Sequence, residues 1–255
     1  MPGELAEKII VLTGGANGIG AECAAAYARE GAFVVIFDHD LQAAQNTAKR
    51  VGERCIALLT NVADGPSVEA ALAEVLERFG RIDAVHNNAG IATPSVPLHE
   101  TSEVDWDLLQ RVNVKSVYWT TRFAFTALAA SKGAILNTAS MVGLIGQSNH
   151  AAYVATKGAM ISLTKAMAVD YAPFSIRVNA VCPAGVRTPT LERWCEEQPN
   201  PTQTRQNLDQ IHLLGPCPHG DVVADLAVFL LSHRARFMTG CIVPVSGGAE
   251  LGYRR

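Results

Sequence analysis

Tyr153 and Lys157 stand four residues apart in AAYVATKGAMISLTKAMAV, a run that reads as helix. Residues i and i+4 lie one above the other on a helical face. An ammonium beside a phenol favours the phenolate and lowers the phenol's pKa. A phenol tuned in this way can exchange a proton with an alcohol or a ketone. Ser140 closes an apolar segment, GAILNTAS, that reads as a strand, and its hydroxyl could reach the same oxygen. Taken singly, each residue has a plainer role. A tyrosine on such a helix is more often packing than chemistry, and a lysine one turn on is usually solvated.

A second group sits near the start, where Thr13-Gly14-Gly15-Ala16-Asn17-Gly18-Ile19-Gly20 follows the apolar run KIIVLTGG. Glycines there let the chain turn tightly, let a pyrophosphate approach the backbone and let a helix pack on a sheet. The N-terminus of the helix that follows offers N–H groups and positive partial charge to phosphates. Asp38 ends the next apolar run, AFVVIFDHD, 18 residues after Gly20. That is close to the ~20 expected of an acid that binds the adenosine ribose hydroxyls. A carboxylate there repels a 2′-phosphate, and no arginine replaces Asn17 or follows Asp38 directly, so NAD rather than NADP is expected.

The elements that must hold these groups alternate. Strands are expected at 8–12, 32–38, 54–59, 82–86, 133–138, 175–181 and 241–245. Helices are expected from Gly18 to Glu30, at 40–51, 66–79, 102–130, from the Tyr153 run to about 171, and at 221–231. Strands alternating with helices of ten or more residues imply βαβ units and a parallel sheet covered on both faces. The segment 183–218, rich in proline and polar residues, breaks this rhythm just after a strand, where α/β sheets place ligands. No linker or composition shift divides the chain, so residues 1–255 are read as one domain with a substrate-covering loop at about 183–218.

The chain has 255 residues, 49% of them hydrophobic, with a net charge of −3. This near balance gives no reason to expect nucleic acid or an anionic membrane as partner. MPGELAEKIIVLTGG carries acids ahead of a short apolar run, unlike a signal peptide, and no apolar stretch approaches a membrane span. The six cysteines are scattered, with no C-x-x-C pair. Reduced thiols in the cytoplasm are expected, and no zinc site.

The glycine spacing is G-x-x-x-G-x-G, and with Tyr-x-x-x-Lys downstream it resembles the short-chain dehydrogenase/reductase family over essentially the whole chain. Asn87-Asn88-Ala89-Gly90, Asn113 in RVNVKS, Val178-Asn179-Ala180-Val181-Cys182-Pro183, Thr188 and Gly247-Gly248 match in order. The resemblance implies a Rossmann-type, doubly wound parallel sheet of seven strands with helices on both faces. It implies a catalytic set of Asn113, Ser140, Tyr153 and Lys157. In that set Tyr153 is the acid/base, and Lys157 lowers its pKa and holds the nicotinamide ribose. Ser140 polarises the substrate oxygen, and Asn113 anchors a proton-relaying water. It implies NAD contacts from Gly14, Asn17, Gly18, Ile19, Gly20, Asp38, Asn61, Val62, Asn88, Ala89, Gly90, Tyr153, Lys157, Pro183, Val186 and Thr188, and a homotetramer with an interface on the helices near 102–130 and 151–171. The sequence departs from the family pattern at Asn61, where Asp is usual, at Pro183-Ala184-Gly185 for Pro-Gly, at Ser246 for Asp, and at Pro216 and Pro218. None of these removes a catalytic group.

The expected reaction is NAD-linked interconversion of a small-molecule secondary alcohol and its ketone. The segment RTPTLERWCEEQPNPTQTRQNLDQIHLLG looks similar to that of relatives acting on short hydroxy acids and sugar-derived acids. Arg193 or Arg205 would then grip a carboxylate, unless both pair with Glu192, Glu196 or Glu197 at the surface. The tail GGAELGY resembles that of 17β-hydroxysteroid and L-fucose oxidising members, which points instead to a neutral sugar or steroid, with Tyr253 reaching across an interface. His150, three residues before Tyr153, and Trp194 are further candidates for the pocket. A non-catalytic dinucleotide sensor is the alternative of another class; it would not need an acid/base set.

Overall fold

A computed structural model describes residues 3–252. The strands are β1 (Ile9–Thr13), β2 (Phe33–Asp38), β3 (Cys55–Leu59), β4 (Ala84–Asn87), β5 (Ala134–Thr138), β6 (Arg177–Pro183) and β7 (Ile242–Val245). The helices are α1 (Gly18–Arg29), α2 (Leu41–Val51), α3 (Gly65–Phe79), α4 (Glu103–Gln110), α5 (Ser116–Ser131), α6 (Val142–Ile145), α7 (Ala151–Tyr171), α8 (Pro189–Glu196), α9 (Pro201–Ile211) and α10 (Asp221–Leu231). The strands form one parallel sheet in the order β3-β2-β1-β4-β5-β6-β7.

Successive side chains of a strand point to opposite faces. In β1, Ile10 and Leu12 therefore enter one core, with Tyr27 of α1, Ala44 of α2 and Val223 of α10. Ile9 and Val11 enter the other, with Leu72 of α3, Leu128 of α5 and Met160 of α7. Both faces are covered, which is why β1 is apolar throughout instead of alternating. The strand order reverses between β1 and β4, and the crevice beyond their carboxyl ends is where such sheets receive ligands.

A buried polar row fixes the helices that border this crevice. Asn87 and Asn137 are register partners on β4 and β5, so their side chains share a face. The Asn87 amide donates to Asn137 Oδ1 at 2.9 Å, and the Asn137 amide donates to Thr164 of α7 at 2.9 Å. Thr120 of α5 donates to Asn87 Oδ1 at 2.7 Å. All four side chains are buried, so each bond is made where no water competes.

Two segments differ from the expectation. The helix expected at 102–130 is interrupted by a π-helical turn at Arg111–Lys115, which divides α4 from α5. Such turns recur at functional sites. The expected loop at 183–218 is largely helical, because Thr188-Pro189 and Asn200-Pro201 each start a helix. Thr188 accepts from the Leu191 N–H at 3.1 Å, and Asn200 accepts from the Gln203 N–H at 3.1 Å. An N-cap residue followed by proline at the first helical position is a sequence-level start signal. Among the described residues no helix is long and apolar enough to cross a membrane.

Replacing Asn137 by Ala strands the Asn87 amide donor. A loss of about 1–3 kcal/mol is expected, which for a chain of this size lowers the melting temperature by several degrees. Calorimetry of the variant beside wild type measures it.

Candidate active site

The glycine-rich turn is built against the end of β4 and leaves no room for a side chain. At Gly14, where φ is +67°, a Cβ would stand 2.7 Å from Ala89 Cα, and one on Gly20 would stand 2.0 Å from the Gly14 carbonyl oxygen. Asn88 closes the junction by donating to the carbonyls of Thr13 at 3.1 Å and Gly14 at 3.0 Å. The N-cap of α1, Asn17, makes no side-chain capping bond. The first-turn N–H groups thus keep their capacity for an anion. Thr188 lies across the turn, with its Cβ 3.0 Å from the position a Cβ on Gly18 would take. The start of α8 therefore rests on the phosphate turn.

Asp38 is buried at the end of β2. One carboxylate oxygen accepts from the Ala16 N–H at 3.0 Å and the other from the Asp40 N–H at 3.1 Å. A carboxylate offers about four acceptor positions, so capacity remains for ribose hydroxyls. Asn61, exposed at the end of β3, spends its amide oxygen on the Ala63 N–H at 3.0 Å. Val62 is buried beside it. These features fit an adenine dinucleotide without a 2′-phosphate.

The second group converges beyond the carboxyl ends of β4, β5 and β6. Lys157 is buried, and its ammonium donates to the Thr138 carbonyl at 2.8 Å. Asn113, in the π turn, accepts from the Ile91 N–H at 2.9 Å and donates to the Ile91 carbonyl at 2.8 Å and to Thr156 at 3.0 Å. Its side chain is thereby committed to the loop after β4. A Cβ on Gly90 would stand 3.3 Å from Asn113 Oδ1 and 3.5 Å from Lys157 Nζ, so glycine keeps that space open. Tyr153 is half-buried, with the Lys157 ammonium 5.6 Å from its ring centroid.

The charges at this centre do not follow the expectation that Lys157 lowers the Tyr153 pKa. Burial pushes the phenol up to about 12, and only the neighbouring Ser140 hydroxyl acts in the other direction. Burial also brings Lys157 down to about 8. The ammonium lies 5.6 Å from the ring centroid and bonds a carbonyl, and burial is the largest influence on both groups.

A model of the family described as enoyl-(acyl carrier protein) reductase matches residues 14–250. The L-fucose dehydrogenase of Bos taurus is 39% identical, over 98% of this chain and 92% of that protein. The meso-2,3-butanediol dehydrogenase of Serratia marcescens is 37% identical, over 95% of this chain and 94% of that protein. The chain belongs to the short-chain dehydrogenase/reductase family. The crystal structure of the 3-ketoacyl-(acyl-carrier-protein) reductase of Brucella melitensis complexed with NADH superposes with a TM-score of 0.89 at 32% identity, covering 96% of this chain and 99% of that one. This dehydrogenase/reductase is accordingly an oxidoreductase acting on CH–OH groups.

The structure separates the other sequence candidates. Arg205 does not stand free to grip a carboxylate, because Glu192, at 2.8 Å, and Glu196 already hold it and tie α9 to α8. Arg193 is exposed on α8. Val186 has its side chain in the core with Val181, which leaves its backbone for a ligand. Pro183 is buried at the end of β6, and its carbonyl accepts from the Met141 N–H at 2.9 Å. Ile19 is partly buried against the same core. Tyr253 lies outside the described residues. His150 is buried beside Tyr153 with ring centroids 5.5 Å apart, and the Trp194 ring lies 5.8 Å from that of His150, tilted by 32°. Sequence reasoning missed the organising roles of Thr138 and Thr156, because a strand-end or helical threonine carries no motif. Among the described residues no cluster of three or more His, Cys, Asp or Glu is arranged to hold a metal ion.

Lys157 gives this site a stability signature. The unfolded chain keeps the lysine proton up to its ordinary pKa of 10.5, whereas the folded protein loses it near 8. Between these values the folded state binds fewer protons, so the Lys157 contribution to stability rises with pH. The buried charge costs about 3 kcal/mol below pH 8. Lys157→Met should therefore gain most on wild type near pH 7 and lose that advantage by pH 10.5, as read by urea unfolding of both proteins.

Proposed function

We propose that the centre formed by Tyr153, Lys157, Ser140 and Asn113 interconverts a secondary alcohol and its ketone with NAD. The observation that carries the reading is the buried Lys157 ammonium, held at the Thr138 carbonyl beside Gly90, Asn113 and the Tyr153 ring. When bound, NAD accepts hydride from the carbinol carbon or returns it to the ketone carbon. Alcohol and NAD⁺ give ketone, NADH and a proton, and this chain manages the proton.

As the phenolate, Tyr153 takes the hydroxyl proton in oxidation, and as the phenol it returns that proton in reduction. Ser140 donates to the substrate oxygen and holds it at the phenol. Lys157 has two N–H groups beyond the one given to Thr138, and these hold the nicotinamide ribose hydroxyls. Asn113 braces the loop carrying Gly90 and Ile91, so its part in any proton relay falls to its backbone at the π turn.

The glycine turn and the α1 N-terminus take the pyrophosphate, with Gly14, Asn17, Gly18, Ile19 and Gly20 lining it and Thr188 closing over it. Asp38 holds the adenosine ribose, while Asn61, Val62, Asn88, Ala89 and Gly90 flank the adenosine side. Pro183 and the Val186 backbone face the nicotinamide. All seven strands share one sheet, which supports treating residues 1–255 as one dinucleotide-binding unit.

We propose further that the protein is a cytoplasmic homotetramer. Val104 and Leu108 of α4, Tyr118 of α5 and Val169 of α7 are exposed apolar residues on the helices expected to pair. Six unpaired cysteines, five of them buried, agree with a reducing compartment.

Tyr153→Phe should lower kcat for NADH formation by about 10²–10⁴-fold, and turnover at the wild-type rate would remove Tyr153 from the mechanism. Asp38→Ala should weaken NAD binding by about tenfold or more and narrow its preference over NADP, as measured by titration with each cofactor. Sedimentation of wild type should give the mass of four chains, and a monomer would remove the helix faces as interfaces.

A further inference from the structure

Among the described residues, five buried side-chain polar atoms have no hydrogen-bond partner. Two of them, His150 Nδ1 and Trp194 Nε1, belong to rings whose centroids are 5.8 Å apart. His150 is 4% exposed, and its ring centroid is 5.5 Å from that of Tyr153. The others stand elsewhere. Trp119 Nε1 and Thr121 Oγ1 are on α5, and His212 packs by Gly185 and Gly247. The rings that carry the unpaired acceptor and donor are therefore neighbours, beside the ring of Tyr153.

Their chemistry is fixed by what surrounds them. His150 Nε2 lies 2.9 Å from the Ala92 carbonyl oxygen. A carbonyl only accepts, so Nε2 carries the proton, and in the neutral ring Nδ1 presents a lone pair. Burial disfavours the second proton that would remove it. The Trp194 indole has only a proton to give. A hydroxyl completes both, donating to His150 Nδ1 and accepting from Trp194 Nε1. A carboxylate only accepts and would face the His150 lone pair, and a methyl group would satisfy neither atom.

The cations of the covering segment do not favour an anion either. Residues 183–218 contain three arginines and no lysine. Arg187 is paired with Asp209 and Arg205 with Glu192 and Glu196, while Arg193 is exposed.

We propose that His150 and Trp194 bind a second hydroxyl next to the reacting carbinol, so that the preferred substrate is a neutral vicinal diol or sugar rather than a hydroxy acid. This rests on the dehydrogenase reading above. The hydroxyl sits between two elements, since His150 is the N-cap of α7 and Trp194 rides on α8. A substrate lacking it leaves both atoms unpaired, and such a site rejects the analogue.

The test compares matched alcohols with NAD and the full-length protein. The probes are meso-2,3-butanediol against 2-butanol, cis-1,2-cyclohexanediol against cyclohexanol, and 3-hydroxybutyrate. Wild type should favour each diol over its mono-alcohol, and over 3-hydroxybutyrate, by at least about tenfold in kcat/KM. Trp194→Phe removes the N–H and keeps the ring, and it should cut the diol-to-mono-alcohol ratio by about tenfold. His150→Phe should do the same, while His150→Gln, which supplies both a donor and an acceptor, should restore part of the ratio. A folded Trp194→Phe protein with the wild-type ratio overturns the proposal, as does a wild-type preference for 3-hydroxybutyrate. In both cases NADH formation leaves the dehydrogenase reading standing. No NADH from any probe would overturn that reading, and this proposal with it.

Discussion

The site depends on a polar row buried where little else could hold it: Thr120, Asn87, Asn137 and Thr164, hydrogen-bonded from α5 through β4 and β5 to α7. Apolar packing is non-directional and would tolerate some sliding of α7 over the sheet. A chain of side-chain amides and hydroxyls in a water-free interior does not, because a shifted register strands donors at high cost. Since α7 carries Tyr153 and Lys157, the row sets where both stand relative to the strand ends. Asn113 does the same for the loop after β4 through its paired bonds to Ile91.

Within that frame the electrostatics oppose the usual solvated states. Lys157 is drawn down to about 8 and Tyr153 pushed up to about 12, each chiefly by burial. The protein alone thus holds a neutral phenol beside a cation that gives up its proton more readily than in water. Such perturbed groups gathered at a sheet's switch point are what a proton-handling centre requires. They also explain why Lys157 bonds a carbonyl: one strong acceptor partly offsets the loss of hydration.

The covering segment is more ordered than its composition suggests. Its two helices begin at Thr-Pro and Asn-Pro, and Arg205 ties them together through Glu192 and Glu196. Thr188 seats the segment on the glycine turn, while Trp194 closes on His150. Helix α8 alone therefore touches both the glycine turn and His150 beside Tyr153. An arginine that looked suited to a ligand carboxylate is instead part of the structure's own scaffold.

Much of this was legible in the sequence because it follows from local periodicity and spacing. The apolar runs, the helix periods, the glycine turn, Asp38 at a strand end and the four-residue Tyr153–Lys157 interval each obey rules that act within a few residues or one βαβ unit. They were enough for the seven-stranded sheet and the family. Tertiary structure alone decided what depends on contacts between distant segments. It paired Arg205 with glutamates, engaged the Asn113 amide with Ile91, made burial the dominant influence at Tyr153, and left His150 Nδ1 and Trp194 Nε1 facing no partner. Those outcomes turn on desolvation and on which polar atoms meet across the fold, and no local pattern records either.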